Sequence, residues 1–289
     1  MRRMWRGLVS FNLAPAFFAL LSAGPIAAQS PWVQTKAGFY AQAAWHFIPA
    51  YKTLFGPDGA DKPLDRRLSE GTFQLYGEYG VTEKTTVIAT LPLRFMKAGE
   101  FLQNFATPET AAGSLAGFGN ISLGIRHQLI NKRIPLSASL RVDLPTGRYD
   151  DATGLRTGYH ALTVLPMLST GIGLGWGYGF VYGGYGYRSN DYSHFLDFGV
   201  EAGLKIGKAW LIGFSEWVHP LKNGDIQLPL HNRLTGLYVN DQSYWSIGLK
   251  GSYSLTRFVG IVVSAAGAAQ AENVPKSPGL GVAVYFKWE

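Results

Sequence analysis

Residues 135–144 read PLSASLRVDL. Leu136, Ala138, Leu140, Val142 and Leu144 take every second position, and Ser137, Ser139, Arg141 and Asp143 stand between them. A period of two is the period of a β-strand, whose successive side chains leave opposite faces. One face here is apolar throughout, and the other carries an arginine and a carboxylate. That division suits a strand with one face against lipid and the other turned into a closed barrel.

The pattern recurs along the chain. It is read over residues 38–47, 73–81, 85–95, 121–129, 161–172, 176–187, 194–206, 209–218, 244–253, 258–269 and 280–288. In 194–206, Leu196, Phe198, Val200, Ala202, Leu204 and Ile206 oppose Asp197, Glu201 and Lys205. Strand 209–218 is ambiguous. Either Trp210, Ile212, Phe214 and Glu216 all face lipid, or a bulge shifts its register. With the opening stretch this makes about twelve strands of roughly ten residues, the length that crosses a bilayer at a tilt. A helical period of 3.6 is hard to find after residue 33.

The connections alternate in length. Longer loops are expected around 48–70, 97–118, 146–158, 220–241 and 272–278, and tight turns at 82–84, 131–133, 173–175, 207–208 and 255–257. An even strand number with short turns on one side and long loops on the other is the layout of an outer-membrane barrel, both termini in the periplasm. The expected fold is therefore all-β: one transmembrane, antiparallel, up-and-down barrel over residues 29–289.

The first 28 residues read as a cleavable signal peptide. Arg2, Arg3 and Arg6 precede an apolar run that ends in small residues, and Ile26 and Ala28 fit the −3 and −1 positions of a cleavage site. The localisation this implies is the bacterial outer membrane. The absence of cysteine excludes a disulfide framework and thiolate chemistry. Of the net charge of +7, three come from those N-terminal arginines and the rest is spread out. No basic stripe remains, so nucleic acid is not an expected partner.

Residues 279–289, GLGVAVYFKWE, end the chain with Val282, Val284, Phe286 and Trp288 on one face. This resembles the signal by which the barrel-assembly machinery recognises a last strand, although Glu289 follows the aromatic. Trp45, Tyr79, Phe95, Trp245 and Tyr253 fall near strand ends, where interfacial girdles sit. Outer-membrane lipid and lipopolysaccharide are the expected surroundings.

Residues 117–120, GFGN, lead into the strand ISLGIRHQL, and Leu144–Pro145–Thr146–Gly147 closes the next strand. Residues 115–210 are similar to the outer-membrane family named for the meta-pathway of phenol degradation, which usually has Asp where Asn120 stands. The resemblance implies a barrel that passes small solutes, hydrophobic or aromatic ones among them. The outer-membrane transporters of long-chain fatty acids and aromatic hydrocarbons are more distant. They carry a long N-terminal plug, whereas here the first strand begins soon after residue 28, so no such plug is expected. The loops 48–70 and 97–118 are the candidates to block the lumen.

Strand parity turns Glu78, Arg94, Arg126, Arg141, Asp143, Asp197, Glu201, Lys205 and Lys250 inward. Such charges either solubilise a narrow interior or set selectivity. Pro63, Phe101, Leu102, Phe105 and Pro108 would form an apolar patch at the outer mouth. No Ser–His arrangement on one face, nucleophile elbow or metal spacing is found among His46, His127, His160, His194, His219 and His231. No enzyme activity, cofactor or metal is expected. The function expected is passive passage of small solutes. A structural or adhesive barrel with a closed lumen is the alternative, and a lipid-modifying enzyme stands further off.

Overall fold

The computed structural model describes residues 29–101 and 111–288. The expected signal peptide lies outside the described residues, as do Leu102, Phe105 and Pro108. In chain order the elements are β1 (Phe39–Phe55), β2 (Asp61–Thr82), β3 (Thr85–Phe101), β4 (Gly113–Phe118), β5 (Ser122–Ile130), β6 (Leu136–Asp143) and β7 (Thr163–Leu174). There follow β8 (Gly177–Arg188), β9 (Phe195–Ile206), β10 (Ala209–Pro220), a single helical turn α1 (Leu230–Arg233), β11 (Ser243–Ser254), β12 (Val259–Glu272), β13 (Val274–Pro275) and β14 (Gly279–Trp288).

The sheet closes on itself. Phe39 of β1 is opposite Tyr79 of β2 on one side and Trp288 of β14 on the other. Every pairing is antiparallel and joins chain neighbours, except that β5 follows β3, β14 follows β12, and β1 pairs with β14 and β13. Twelve strands form that wall. β4 lengthens it beside β3, and the two-residue β13 pairs with the end of β1. Closure removes both edges, so the strand hydrogen bonds are satisfied without water, as hydrocarbon requires.

The sequence alternation maps onto the two faces. Leu75, Leu123, Leu168, Leu249 and Val263 are exposed on the outside, while Gln74, Ser169 and Ser246 are buried inside. Trp45, Tyr79, Phe95, Trp245 and Tyr253 all project outward. Trp45 lies across β2 toward Phe95, ring centroids 5.6 Å apart. A Cβ on Gly71 would come within 2.9 Å of that indole, so the glycine makes the room. Among the described residues no helix is long and apolar enough to cross a membrane; the strands do so instead.

Two expectations are corrected. First, 48–70 is not a loop. β1 and β2 run on for 17 and 22 residues and meet only at a 3-10 turn over Pro57–Gly59. Above the aromatic belt the polarity of the hairpin inverts. Lys52, Lys62 and Arg67 are exposed, and Ile48, Tyr51, Leu54, Leu64 and Leu68 are buried. Bulges at Ile48/Tyr51 and Tyr51/Thr53 break the simple period, which is why the segment reads as a polar loop. Part of 97–118 is likewise strand, since β3 continues to Phe101 and pairs with β4. Second, β10 keeps an unbroken register with both β9 and β11 and has no bulge. Trp210, Ile212, Phe214 and Glu216 share their face with Lys205, Gly203, Glu201 and Gly199 across β9, and this is the inner face. Leu211 and Trp217 are its exposed, outer residues.

At the loop end, Ile48, Tyr51, Leu54, Leu64, Leu68 and Met96 pack with Leu155, Leu237 and Tyr238. Leu155 and Tyr238 belong to connections that fold over the barrel mouth. Gly236, at φ +68, lies against Leu54, where a Cβ would approach the side chain to 2.5 Å. Among the described residues, 144–160 and 229–242 thus cover this end. The expected blocking segment 48–70 supplies the wall on which they rest.

Candidate functional site: the barrel interior

The sequence motifs of β5 and the following loop interlock at the loop end. Asn120 Nδ2 donates to the carbonyls of Leu144 and Tyr159, each at 2.8 Å, and its Oδ1 accepts from the Tyr159 amide at 2.7 Å. Thr146 Oγ1 donates to the Gly119 carbonyl at 2.5 Å and accepts from the Ile121 amide at 2.9 Å. Gly147 and Gly158 approach so closely that a Cβ on Gly147 would meet Gly158 at 2.8 Å. The motifs therefore clamp the 144–160 connection onto the wall, and Tyr159 passes the constraint on through its hydroxyl to Gln242 at 2.6 Å. Burial pushes the Tyr159 and Tyr238 phenols above their ordinary range, which keeps both protonated.

The turn end is occupied from within. Residues 29–36 enter the barrel ahead of β1. Trp32 packs edge-on against Tyr178 and Phe180, at 5.9 and 6.0 Å. Arg126 donates to the Trp32 carbonyl and, at 3.1 Å, to Glu78. Ser137 Oγ donates to the Pro31 carbonyl at 2.5 Å. Gln34 donates to Glu78 at 2.7 Å through its side chain and to Thr86 Oγ1 at 2.8 Å through its backbone. A short N-terminal segment therefore occupies the lumen at this end, an occupant that the sequence reading did not name. Its signal is faint in sequence, because one tryptophan and two glutamines before a strand carry no periodicity.

Two cavities lie between these ends. The larger, about 380 Å³, is walled by Tyr178, Trp210, Ile212 and Phe214 on one side and by Gln42, Thr72 and Gln74 on another. Lys250 Nζ binds Glu201 at 2.8 Å and lies 4.8 Å from the Phe214 ring, and the Tyr178 hydroxyl donates to Glu201 at 2.6 Å. The smaller, about 170 Å³, holds Arg141, Asp143, Arg188, Asp197 and Glu216, with Gln29 reaching into it. Arg141 Nε is 3.3 Å from Asp143 Oδ1. The Arg188 guanidinium lies 4.1 Å from both the Tyr159 and the Phe195 ring. Gln74 and Arg94 line both cavities, and Arg94 is ion-paired with Glu70.

Of the residues parity turned inward, Glu78 meets Arg126, Arg141 meets Asp143, and Glu201 meets Lys250. Arg94 finds a partner that parity missed, Glu70, hidden in the segment taken for a loop. Asp197 is buried, and its Oδ1 is without a hydrogen-bond partner. Lys205 shares the inner face but sits exposed at the rim, one residue from β9's end. Glu216 and the aromatic wall of β8 and β10 were missed because β10 is apolar on both faces. Of the histidines, His46 lines the larger cavity with Glu70, Arg94, Glu201 and Lys250. His127 meets Thr85 at 3.0 Å, His194 meets Tyr185, and Ser193 instead donates to Asp241 at 2.6 Å.

A closed twelve-stranded wall, greasy outside and ionic within, defines a membrane-spanning β-barrel of the outer-membrane type. No family model and no curated protein matches the chain. Solved structures do. An outer membrane channel from Pseudomonas putida F1 superposes with a TM-score of 0.65 at 15% identity, over 92% of this chain and 100% of that one. The translocator domain of the autotransporter NalP from Neisseria meningitidis gives a TM-score of 0.50 at 13% identity, over 87% and 88%. At these identities the likeness is one of fold.

Proposed function

We propose that the protein is a passive outer-membrane channel for small solutes, with aromatic or amphipathic compounds favoured. The observation that carries this is the larger cavity, which offers an aromatic wall opposite a wall of amides and hydroxyls. A planar ring with a polar substituent can stack on one and hydrogen-bond to the other. The resemblance of residues 115–210 to the phenol meta-pathway family points the same way. On this reading residues 1–28 direct export, the barrel-assembly machinery takes the chain by β14, and the short turns face the periplasm. Lipopolysaccharide surrounds the loop end. Arg141, Asp143, Asp197, Glu201 and Lys250 line the route, while Glu78, Arg94 and Arg126 hold its two constrictions.

Liposome swelling tests the solute class. A hydroxylated aromatic acid should enter faster than a sugar of similar size, and Trp210→Ala with Phe214→Ala should remove the difference. Equal rates for both solutes in the unaltered protein would contradict the proposal. A closed structural barrel is the second reading, favoured by the N-terminal segment and the packed loop end. It predicts no swelling with either solute.

A further inference from the structure

The two rims of the barrel differ in how their charges are used. At the loop end cations are mixed with carboxylates: Lys222 pairs with Glu272 at 3.5 Å and Lys276 with Asp61 at 2.5 Å, and the exposed Lys52, Lys62 and Arg67 share the β1–β2 hairpin with Asp61 and Asp65. At the turn end, four of the five strand-to-strand turns carry Lys84, Lys132, Arg133, Lys208 and Arg257, all exposed and none ion-paired with a described carboxylate. Glu83 is the one carboxylate in those turns.

Each of these turns also carries an outward apolar residue beside its cation: Val81, Ile134, Ile206 and Leu255, all exposed. That is the arrangement of a side chain anchored in hydrocarbon with a charge at headgroup height. Arg257 fixes the direction in which the charge is presented. Its guanidinium lies 4.4 Å from the Phe258 ring, which stacks at 4.9 Å on Trp288, an outward residue of β14. The cation is thus held on the lipid side of the rim, away from the lumen.

We infer that the turn-end rim is a binding surface for anionic phospholipid headgroups, which neutralise these five cations in the leaflet that surrounds it. Cations near a charged membrane surface attract acidic lipid, and salt weakens the attraction. This rests on the barrel spanning a bilayer and is independent of what passes through it.

The test is electron paramagnetic resonance of spin-labelled lipids with the protein reconstituted in phosphatidylcholine. Labelled phosphatidylglycerol should associate with the protein at least about threefold more strongly than labelled phosphatidylcholine at low salt. The preference should approach one in 1 M salt and in a variant with all five cations changed to Gln. The loop-end variant Lys222→Gln/Lys276→Gln should retain it. Arg257→Gln alone should lower it partially, which covers the case in which the five-fold variant does not fold. No preference in the unaltered protein, a preference that survives the five changes, or its loss in the loop-end variant would each overturn the inference.

Discussion

Asn120 illustrates how a single side chain can carry a whole connection. It donates two hydrogen bonds and accepts one, and an aspartate could only accept. Asn120→Asp should therefore cost about 1–3 kcal/mol of loop-end stability, since two carbonyls lose their partner and face a carboxylate. Limited proteolysis within 147–158 should report it as faster cleavage in an otherwise intact barrel; unchanged cleavage would show that the clamp does not matter. Arg141 presents the other residue-scale prediction. It shares its cavity with Asp143, Asp197 and Glu216, so Arg141→Ala leaves an excess of carboxylates there. Ion selectivity should move toward cations, as read by the reversal potential across a salt gradient. The inward placement of these residues was legible from parity. The partnership of Arg94 with Glu70 was not, because bulges interrupt the period where β2 leaves the bilayer.

At the scale of elements, β11 shows what the outer face tolerates. Leu249 is exposed midway between the outward aromatics Trp245 and Tyr253, which places it near the centre of the apolar band. Leu249→Arg should destabilise the barrel by about 2–4 kcal/mol in urea unfolding from vesicles. A cost below 1 kcal/mol would argue against that depth. β10 was the strand that sequence could not orient, since both of its faces carry tryptophan. Its pairing with β9 and β11 settles the matter: Leu204 is opposite Leu211 on the outside, and Glu201 is opposite Phe214 on the inside. The N-terminal segment was equally illegible, because its role depends on partners 44 to 106 residues away, such as Glu78, Arg126 and Ser137. Trp32→Ala should loosen the segment by removing its edge-on contacts with Tyr178 and Phe180, visible as faster proteolytic removal of residues 29–34.

At the scale of the molecule, the fold follows from a simple inequality. A strand that carries ions on one face, as β6, β9 and β11 do, cannot cross hydrocarbon alone, whereas twelve strands closed into a wall hide both the inward polar groups and the backbone. Twelve strands enclose more space than side chains need to fill, so something must occupy the remainder. Among the described residues it is divided between the N-terminal segment, the folded-in connections 144–160 and 229–242, and cavities such as the two that Gln74 and Arg94 both line. On this reading the cavities belong to a route that the N-terminal segment narrows. Single-channel conductance in planar bilayers tests it most directly, comparing the protein with a variant lacking residues 29–34. Small discrete steps that grow severalfold on deletion are predicted. A folded barrel that yields no steps in either form would contradict the claim and leave a closed lumen.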